Sequence, residues 1–219
     1  MEITELCEYK GDTWQIELDG GKKYYVNGSI VAQFELEKGQ TITSAELSEI
    51  KGADTLRKAK KRALYLLGER LMCRGELKTK LTKTYGEAVA EEAVEYACEL
   101  GYINDEEYAP KLAEYLIKRK HWGARRARLE MLHRGLDREL VENTLADIPE
   151  DELDGELTAL ISKKYSQKVR DYDDRRRTIA ALARRGYDFG AIKRCIDAYL
   201  ESSDYEDDEF DEIYENNEE

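Results

Sequence analysis

The chemistry that this sequence supports best is the binding of negative charge, because arginines and lysines gather in one stretch. The stretch RKHWGARRARLEMLHRG spans residues 119–135, and residues 111–134 hold eight bases against two acids. An arginine fork grips a carboxylate or a phosphate through two parallel hydrogen bonds, and tryptophan and arginine often anchor interfaces. The residues that we expect to contact such a partner are Lys120, Trp122, Arg125, Arg126, Arg128 and Arg134.

A second basic patch follows near residue 175, in the sequence RDYDDRRR (170–177) and the pair at 184–185. Its candidate partner-binding residues are Arg175, Arg176, Arg177, Arg184 and Arg185. Both patches also have a simpler interpretation as solvated helix faces. In the first patch Glu130 would pair with the bases, and in the second the aspartates of 171–174 would do so.

Catalysis finds little support in the same residues. The two histidines, His121 and His133, stand twelve residues apart, and the four cysteines form no closely spaced pair. A zinc site needs Cys or His at short spacing, and a nucleotide-phosphate loop needs a glycine-rich motif that is missing here. We therefore expect a protein that is not an enzyme, with no catalytic residue, no metal and no cofactor.

The net charge of −13 conceals the basic character of the middle of the chain. Residues 1–50 carry 10 acids and 4 bases, residues 51–200 carry 27 acids and 31 bases, and residues 201–219 carry 11 acids and no base. No apolar run is long enough for a membrane span, and the first residues lack the order of a signal peptide. We expect a cytoplasmic monomer that makes no membrane contact.

The elements that position the arginines are predicted to be short helices. Residues 13–26 alternate around the DGG turn at 19–21, which predicts a β-hairpin, and short helices follow it. From about residue 54 the apolar spacing is helical throughout. The predicted divisions are an N-terminal hairpin-and-helix module (1–53), three three-helix repeats (54–103, 104–149 and 150–200) and a disordered acidic tail (201–219).

The repeats rest on a recurring glycine pattern. Gly135 and Gly186 are each followed by an apolar residue and then by an aspartate, Asp137 or Asp188. The glycine would end one helix and the aspartate would cap the next. The predicted helices are 55–70, 74–85, 88–100, 105–120, 124–134, 138–147, 151–166, 173–185 and 189–200. In the helix at 124–134, Leu129 and Leu132 are expected to pack with Met131.

Four segments together resemble the RecX family, the regulators of the recombinase RecA. They are KRALYLLGERLMCRGELKTKLTKTYG (61–86), EEAVEYACELGYINDEEYA (91–109), GARRARLEMLHRGLDRELVENTL (123–145) and RRRTIAALARRGYDFGAIKRCI (175–196). The resemblance implies a mainly α fold, in which three tandem three-helix repeats form an elongated, curved array behind the N-terminal module. Gly86 departs from the family pattern by one residue, and the acidic tail lies outside that pattern.

The resemblance also implies a function. Family members bind in the groove of the RecA–DNA filament and modulate, usually by inhibition, its recombinase, ATPase and co-protease activities in recombination, DNA repair and the SOS response. The expected partners are the RecA filament and, through phosphates, single- or double-stranded DNA. Two alternatives stay open: a direct DNA-binding protein with helix-turn-helix-like units, and a repeat scaffold for another acidic protein.

Overall fold

The computed structural model describes the backbone of residues 1–215 and the side chains of residues 1–202. The chain divides into two compact units, Met1–Ile103 and Asn104–Glu219. It is mainly helical with a small antiparallel sheet at the N-terminus, so the predicted fold class of three-helix repeats behind a β-containing module is confirmed.

The first unit begins with a three-stranded antiparallel sheet. Its strands are β1 (Ile3–Lys10), β2 (Thr13–Leu18) and β3 (Lys23–Asn27), in the order β1-β2-β3. The predicted hairpin corresponds to β2 and β3, which turn through Gly20 and Gly21 at positive φ. Strand β1 was not predicted, because Ile3 is its only fully buried residue and the alternation that reveals a strand is therefore weak.

Four helices complete the first unit: α1 (Gly28–Gln33), α2 (Ser44–Glu69), α3 (Arg74–Tyr85) and α4 (Glu87–Glu99). Thr43 and Glu46 form a capping box that starts α2. Helix α2 then passes without interruption through residues 53 and 54, where the sequence predicted a division. The chain contains no proline between residues 1 and 109, and Gly52 lies in open space, so nothing in the sequence ends the helix there.

A buried carboxylate fixes α2 to the sheet. Asp54 is 3% exposed, accepts a hydrogen bond from the Asn27 amide at 3.2 Å, and pairs with Lys58 at 2.6 Å and Arg57 at 3.2 Å. Burial alone would raise the pKa of Asp54, but these donors and charges outweigh it, so the pKa is lowered.

Over residues 104–215, the second unit forms six α-helices and a π-helical turn. They are α5 (Asp105–Glu114), the π-helical turn (Tyr115–Arg119), α6 (Ala124–His133), α7 (Arg138–Ala146), α8 (Glu150–Tyr165), α9 (Tyr172–Arg184) and α10 (Phe189–Glu215). Each predicted helix of this unit begins within one residue of an observed one. Helix α10 continues beyond residue 200, and the side chains of 203–219 and all of 216–219 lie outside the described residues. The predicted disorder of 201–219 therefore stays a prediction.

The glycine pattern of the sequence is confirmed in this unit. Gly135 and Gly186 follow α6 and α9 at φ 88° and 91°, a conformation that favours glycine. The next residues, Leu136 and Tyr187, are both buried. Asp137 accepts hydrogen bonds from the first turn of α7, as an N-cap does. The second repeat (α5–α7) and the third repeat (α8–α10) thus share one turn chemistry.

Candidate partner-binding site

Two glycines bring the second and third repeats into backbone contact. The N–H of Gly123, just before α6, donates to the carbonyl of Arg185 at 2.9 Å, and the N–H of Arg125 donates to the carbonyl of Gly186 at 3.2 Å. A Cβ atom at Gly123 would lie well under 3.0 Å from backbone atoms of Gly186 and Tyr187. We call this contact the glycine joint. Only a residue without a side chain fits on either side of it.

The glycine joint places the start of α6 beside the end of α9, so part of the second predicted basic patch lies next to the first. Arg125 and Arg126 open α6, while Arg184 and Arg185 close α9, immediately before Gly186. We call these four residues the arginine cluster. The Arg126 guanidinium stacks over the Trp122 ring at 4.1 Å, and Arg185 donates to the His121 carbonyl at 3.4 Å. Residues some sixty positions apart in sequence therefore form one surface.

The positive charge of the arginine cluster is largely uncompensated. Within the described part of the chain, no carboxylate pairs with Arg125, Arg126 or Arg184. The first turn of α6 carries no acidic residue, although the positive end of a helix dipole favours one. Two arginines at that position cost stability, and sites that violate local preference in this way are often functional.

The structure places two of the other candidates differently. Arg128 donates to Glu142 of α7 through Nε at 2.6 Å. Arg134 donates to Glu130 at 2.8 Å and to the Tyr108 hydroxyl at 3.1 Å. Both side chains thus pair inside the second repeat.

The remaining candidates of the second repeat lie closer to the cluster. Trp122 is half-buried beneath Arg126. Lys120 is exposed, with its ammonium 5.5 Å from the centre of the Tyr115 ring. Trp122 therefore supports the arginine cluster directly, and Lys120 extends the positive surface ahead of α6.

The candidates at the start of α9 form a separate group. Arg175 donates to the Val169 carbonyl at 2.5 Å, Arg177 pairs with Asp174 at 3.0 Å, and Arg176 is exposed. Eight residues of helix, about 12 Å, separate Arg176 from Arg184. These side chains are therefore a second positive group at the far end of α9, and Arg176 is its unpaired member among the described residues.

Leu129 corrects the sequence-based expectation for α6. The expected packing of Leu129 toward the core is wrong, because its side chain is 67% exposed, whereas Ala127 and Met131 are fully buried. The exposed face of α6 consists of Arg125, Arg126, Leu129 and His133. The spacing of Leu129 from Leu132 suggested an apolar face, but Ala127 and Met131 define the buried one.

Two buried polar groups lie close to the glycine joint. Tyr187 is 4% exposed, and its hydroxyl has no hydrogen-bond partner within the described residues. Burial, with a further contribution from Glu156, raises the pKa of Tyr187 to about 12. Nδ1 of His121 is likewise buried without a hydrogen bond and lies 3.7 Å from a carboxylate oxygen of Glu156. The sequence alone gave no sign that Tyr187 and His121 lie close to the glycine joint.

Comparison with known proteins identifies the two repeats of the second unit. The family model for the second three-helix domain of RecX matches residues 104–145, and the model for the third matches residues 151–196. The chain belongs to the RecX family. Both matched segments contribute to the arginine cluster of this RecX-family chain, and they meet at the glycine joint.

Individual RecX proteins show the same similarity over more of the chain. Regulatory protein RecX of Listeria monocytogenes serotype 4a (strain HCC23) is 30% identical over 150 residues, which cover 67% of this chain and 56% of that protein. The chain thus spans just over half the length of this Listeria relative. Regulatory protein RecX of Clostridioides difficile (strain 630) is 22% identical across 93% of this chain and 98% of its own length.

Two crystal structures of RecX proteins share the fold. A regulatory protein RecX superimposes with a TM-score of 0.66 at 19% identity, covering 90% of this chain and 98% of the other. RecX from Lactobacillus salivarius superimposes with a TM-score of 0.59 at 22% identity, and the match covers 67% of this chain and 97% of the Lactobacillus chain.

Neither a metal-binding group nor a membrane-spanning helix is found among the described residues. No group of three or more His, Cys, Asp or Glu side chains is placed there to hold a metal ion. Among the same residues, no helix is both long and apolar enough to cross a membrane.

Proposed function

We propose that this RecX-family chain is a non-catalytic regulator of RecA that binds in the groove of the RecA–DNA filament and inhibits its activities. Those activities are strand exchange, ATP hydrolysis and co-protease function in recombination, DNA repair and the SOS response. The observation that carries the proposal is the arginine cluster, in which two repeats present guanidinium groups that no carboxylate of the described residues neutralises. Family membership supports the choice of RecA as the partner.

The glycine joint gives the proposed mechanism its physical basis. Arg125 and Arg126 belong to one repeat and Arg184 belongs to the next, and two backbone hydrogen bonds hold the repeats at this point. A cluster held in this way can contact carboxylates of two neighbouring filament protomers, or a protomer and a DNA phosphate. Bridging of this kind resists the changes between protomers that accompany ATP hydrolysis, so inhibition follows.

The test is RecA-catalysed ATP hydrolysis on single-stranded DNA, titrated with the full chain and with the variant Arg125→Ala/Arg126→Ala/Arg184→Ala. Each lost charge-assisted contact costs about 1.5 kcal/mol or more. Three such losses amount to about 4.5 kcal/mol, so we expect the half-inhibitory concentration to rise by about 1,000-fold or more. The matched control is Lys163→Ala/Lys164→Ala/Lys168→Ala. It removes three exposed positive charges from the same unit and should behave like the unmodified chain.

Two outcomes would reject the proposal. If the unmodified chain leaves the hydrolysis rate unchanged, RecA regulation is wrong. If the arginine variant and the lysine control weaken inhibition equally, only the total charge matters and the arginine cluster has no specific role. Binding to naked DNA that is as tight as binding to the filament would instead favour the direct DNA-binding alternative.

A further inference from the structure

The exposed face of α6 has an apolar centre. Each residue of an α-helix is rotated about 100° from the one before it, so a residue four positions further on has a net rotation of about 40°. Relative to Arg125, Leu129 is thus at about 40° and Arg126 at about 100°, and Leu129 lies between the two arginines on that face. His133 lies one turn further along the same face and is also exposed. Leu129 is therefore a large apolar side chain, 67% exposed, with arginines on both sides.

A second exposed apolar side chain lies close to the glycine joint. Phe189 begins α10 and is 60% exposed. It follows Gly186 by three residues, so its Cα lies within roughly 11 Å of the joint. The buried neighbours Tyr187 and Ile192 fill the core of the third repeat, while Phe189 is left outside it. Each repeat thus supplies one apolar residue beside the arginine cluster.

Leu129 at the centre of the α6 face favours a protein partner over a nucleic acid. A leucine side chain forms no hydrogen bond and offers no ring on which a base could stack, whereas single-stranded DNA binding relies on stacking and on positive charge. Protein interfaces, by contrast, have an apolar centre and a polar rim in which arginine is enriched. Trp122 beneath Arg126 adds a second residue type that is typical of interface centres.

We infer that Leu129 and Phe189 are the apolar anchors of the arginine-cluster surface, and that its partner is an apolar protein pocket rimmed with carboxylates. This inference rests on the proposed function and specifies the partner chemistry of the same site. The arginines pair with the rim, and the two apolar side chains leave water as the surfaces meet. The arginine–carboxylate pairs then give a contribution to affinity that weakens with added salt, whereas the burial of the two apolar side chains gives one that does not.

The experiment compares Leu129→Ala with Arg125→Ala/Arg126→Ala in binding to RecA filaments and to naked single-stranded DNA, each at several salt concentrations. Alanine keeps the helix propensity of α6, and the site is exposed, so folding is preserved. We expect Leu129→Ala to weaken filament binding about tenfold with an unchanged salt dependence and with unchanged DNA binding. The matched control is Leu71→Ala, at a leucine that is 63% exposed in the first unit.

The failures of the two proposals are distinguishable. If the arginine variant weakens filament binding but Leu129→Ala binds like the unmodified chain, the inference is wrong and the proposed function stands. If Leu129→Ala weakens DNA binding and filament binding equally, the surface binds nucleic acid and the inference is again wrong. If neither variant changes filament binding, the proposed function itself fails. A second variant, Phe189→Ala, should reproduce the loss seen with Leu129→Ala.

Discussion

The substitution Gly123→Ala tests the glycine joint with the smallest possible change. Gly123 has ordinary extended backbone, at φ −72° and ψ 162°, so alanine meets no conformational penalty there. The obstacle is steric. The added Cβ would lie well under 3.0 Å from the carbonyl group of Gly186 and the backbone N of Tyr187. Backbone atoms cannot rotate away as a flexible side chain can, so the two repeats must move apart.

The expected cost follows from what the movement breaks. Overpacking of one methyl group in a close contact costs about 1–3 kcal/mol. Separation of the repeats also removes the two hydrogen bonds of the joint, from Gly123 and Arg125, at about 1 kcal/mol each. We therefore expect the free energy of unfolding to fall by about 3–5 kcal/mol. That loss is a large fraction of the stability of an ordinary domain.

Urea unfolding followed by circular dichroism measures this change, with Gly155→Ala as the matched control. Gly155 lies inside α8, and a Cβ added there would have no neighbouring atom within 4 Å, so alanine should stabilise the helix by up to about 1 kcal/mol. Amide hydrogen exchange provides a local measurement. The N–H groups of Gly123 and Arg125 should lose protection in Gly123→Ala and keep it in the control.

The reasoning would be refuted by a Gly123→Ala protein with unchanged stability and unchanged amide protection. That result would mean that the repeats are not in backbone contact. A second outcome would separate structure from function. If Gly123→Ala is destabilised but the folded protein still inhibits RecA with full potency, the backbone contact exists but is not needed to assemble the arginine cluster.

Two further predictions concern buried polar groups. The pKa of Asp54 is lowered in the folded protein, so its contribution to stability is present above the unfolded pKa near 4 and is lost as the pH falls through the folded pKa. Asp54→Asn should therefore lower the free energy of unfolding by about 2 kcal/mol at neutral pH. When the urea midpoint is measured against pH, its fall on the acid side should be shallower in the variant, and an equally steep fall would contradict this. Tyr187→Phe removes a buried hydroxyl without a partner among the described residues, so the urea midpoint should stay constant or rise. If the free energy of unfolding fell by more than about 1 kcal/mol, the hydroxyl would have to be hydrogen-bonded in the folded protein.

Most helix positions could be predicted from the sequence because their ends are marked locally. Gly186 with Asp188 and Gly135 with Asp137 each encode a stop and a start within three residues, and the observed helices begin close to the predicted positions. Strand β1 and the unbroken passage of α2 through residue 53 lack such marks. The π-helical turn at Tyr115–Arg119 also has no sequence signature, so it was included in a predicted α-helix.

The candidate site was only partly predictable because its geometry depends on a contact between distant residues. The arginine count identified the residues, but it could not show that Arg128 pairs with Glu142 whereas Arg125 has no carboxylate partner among residues 1–202. Nor could periodicity show that Leu129 faces solvent, since Ala127 and Met131 were equally compatible with a buried face. The meeting of Gly123 with Gly186 is a tertiary contact, and neither glycine has a neighbour in sequence that reveals it.

The glycine joint is a contact between peptide groups, and this has a consequence for how such a protein can diversify. Peptide groups are the same whatever side chains surround them, so substitutions at positions 125, 126, 129 or 184 alter the surface without altering the distance between the repeats. The spacing of the binding groups is thus inherited separately from their chemical character. A new partner preference can arise by surface substitution alone, on a frame that does not need to be rebuilt.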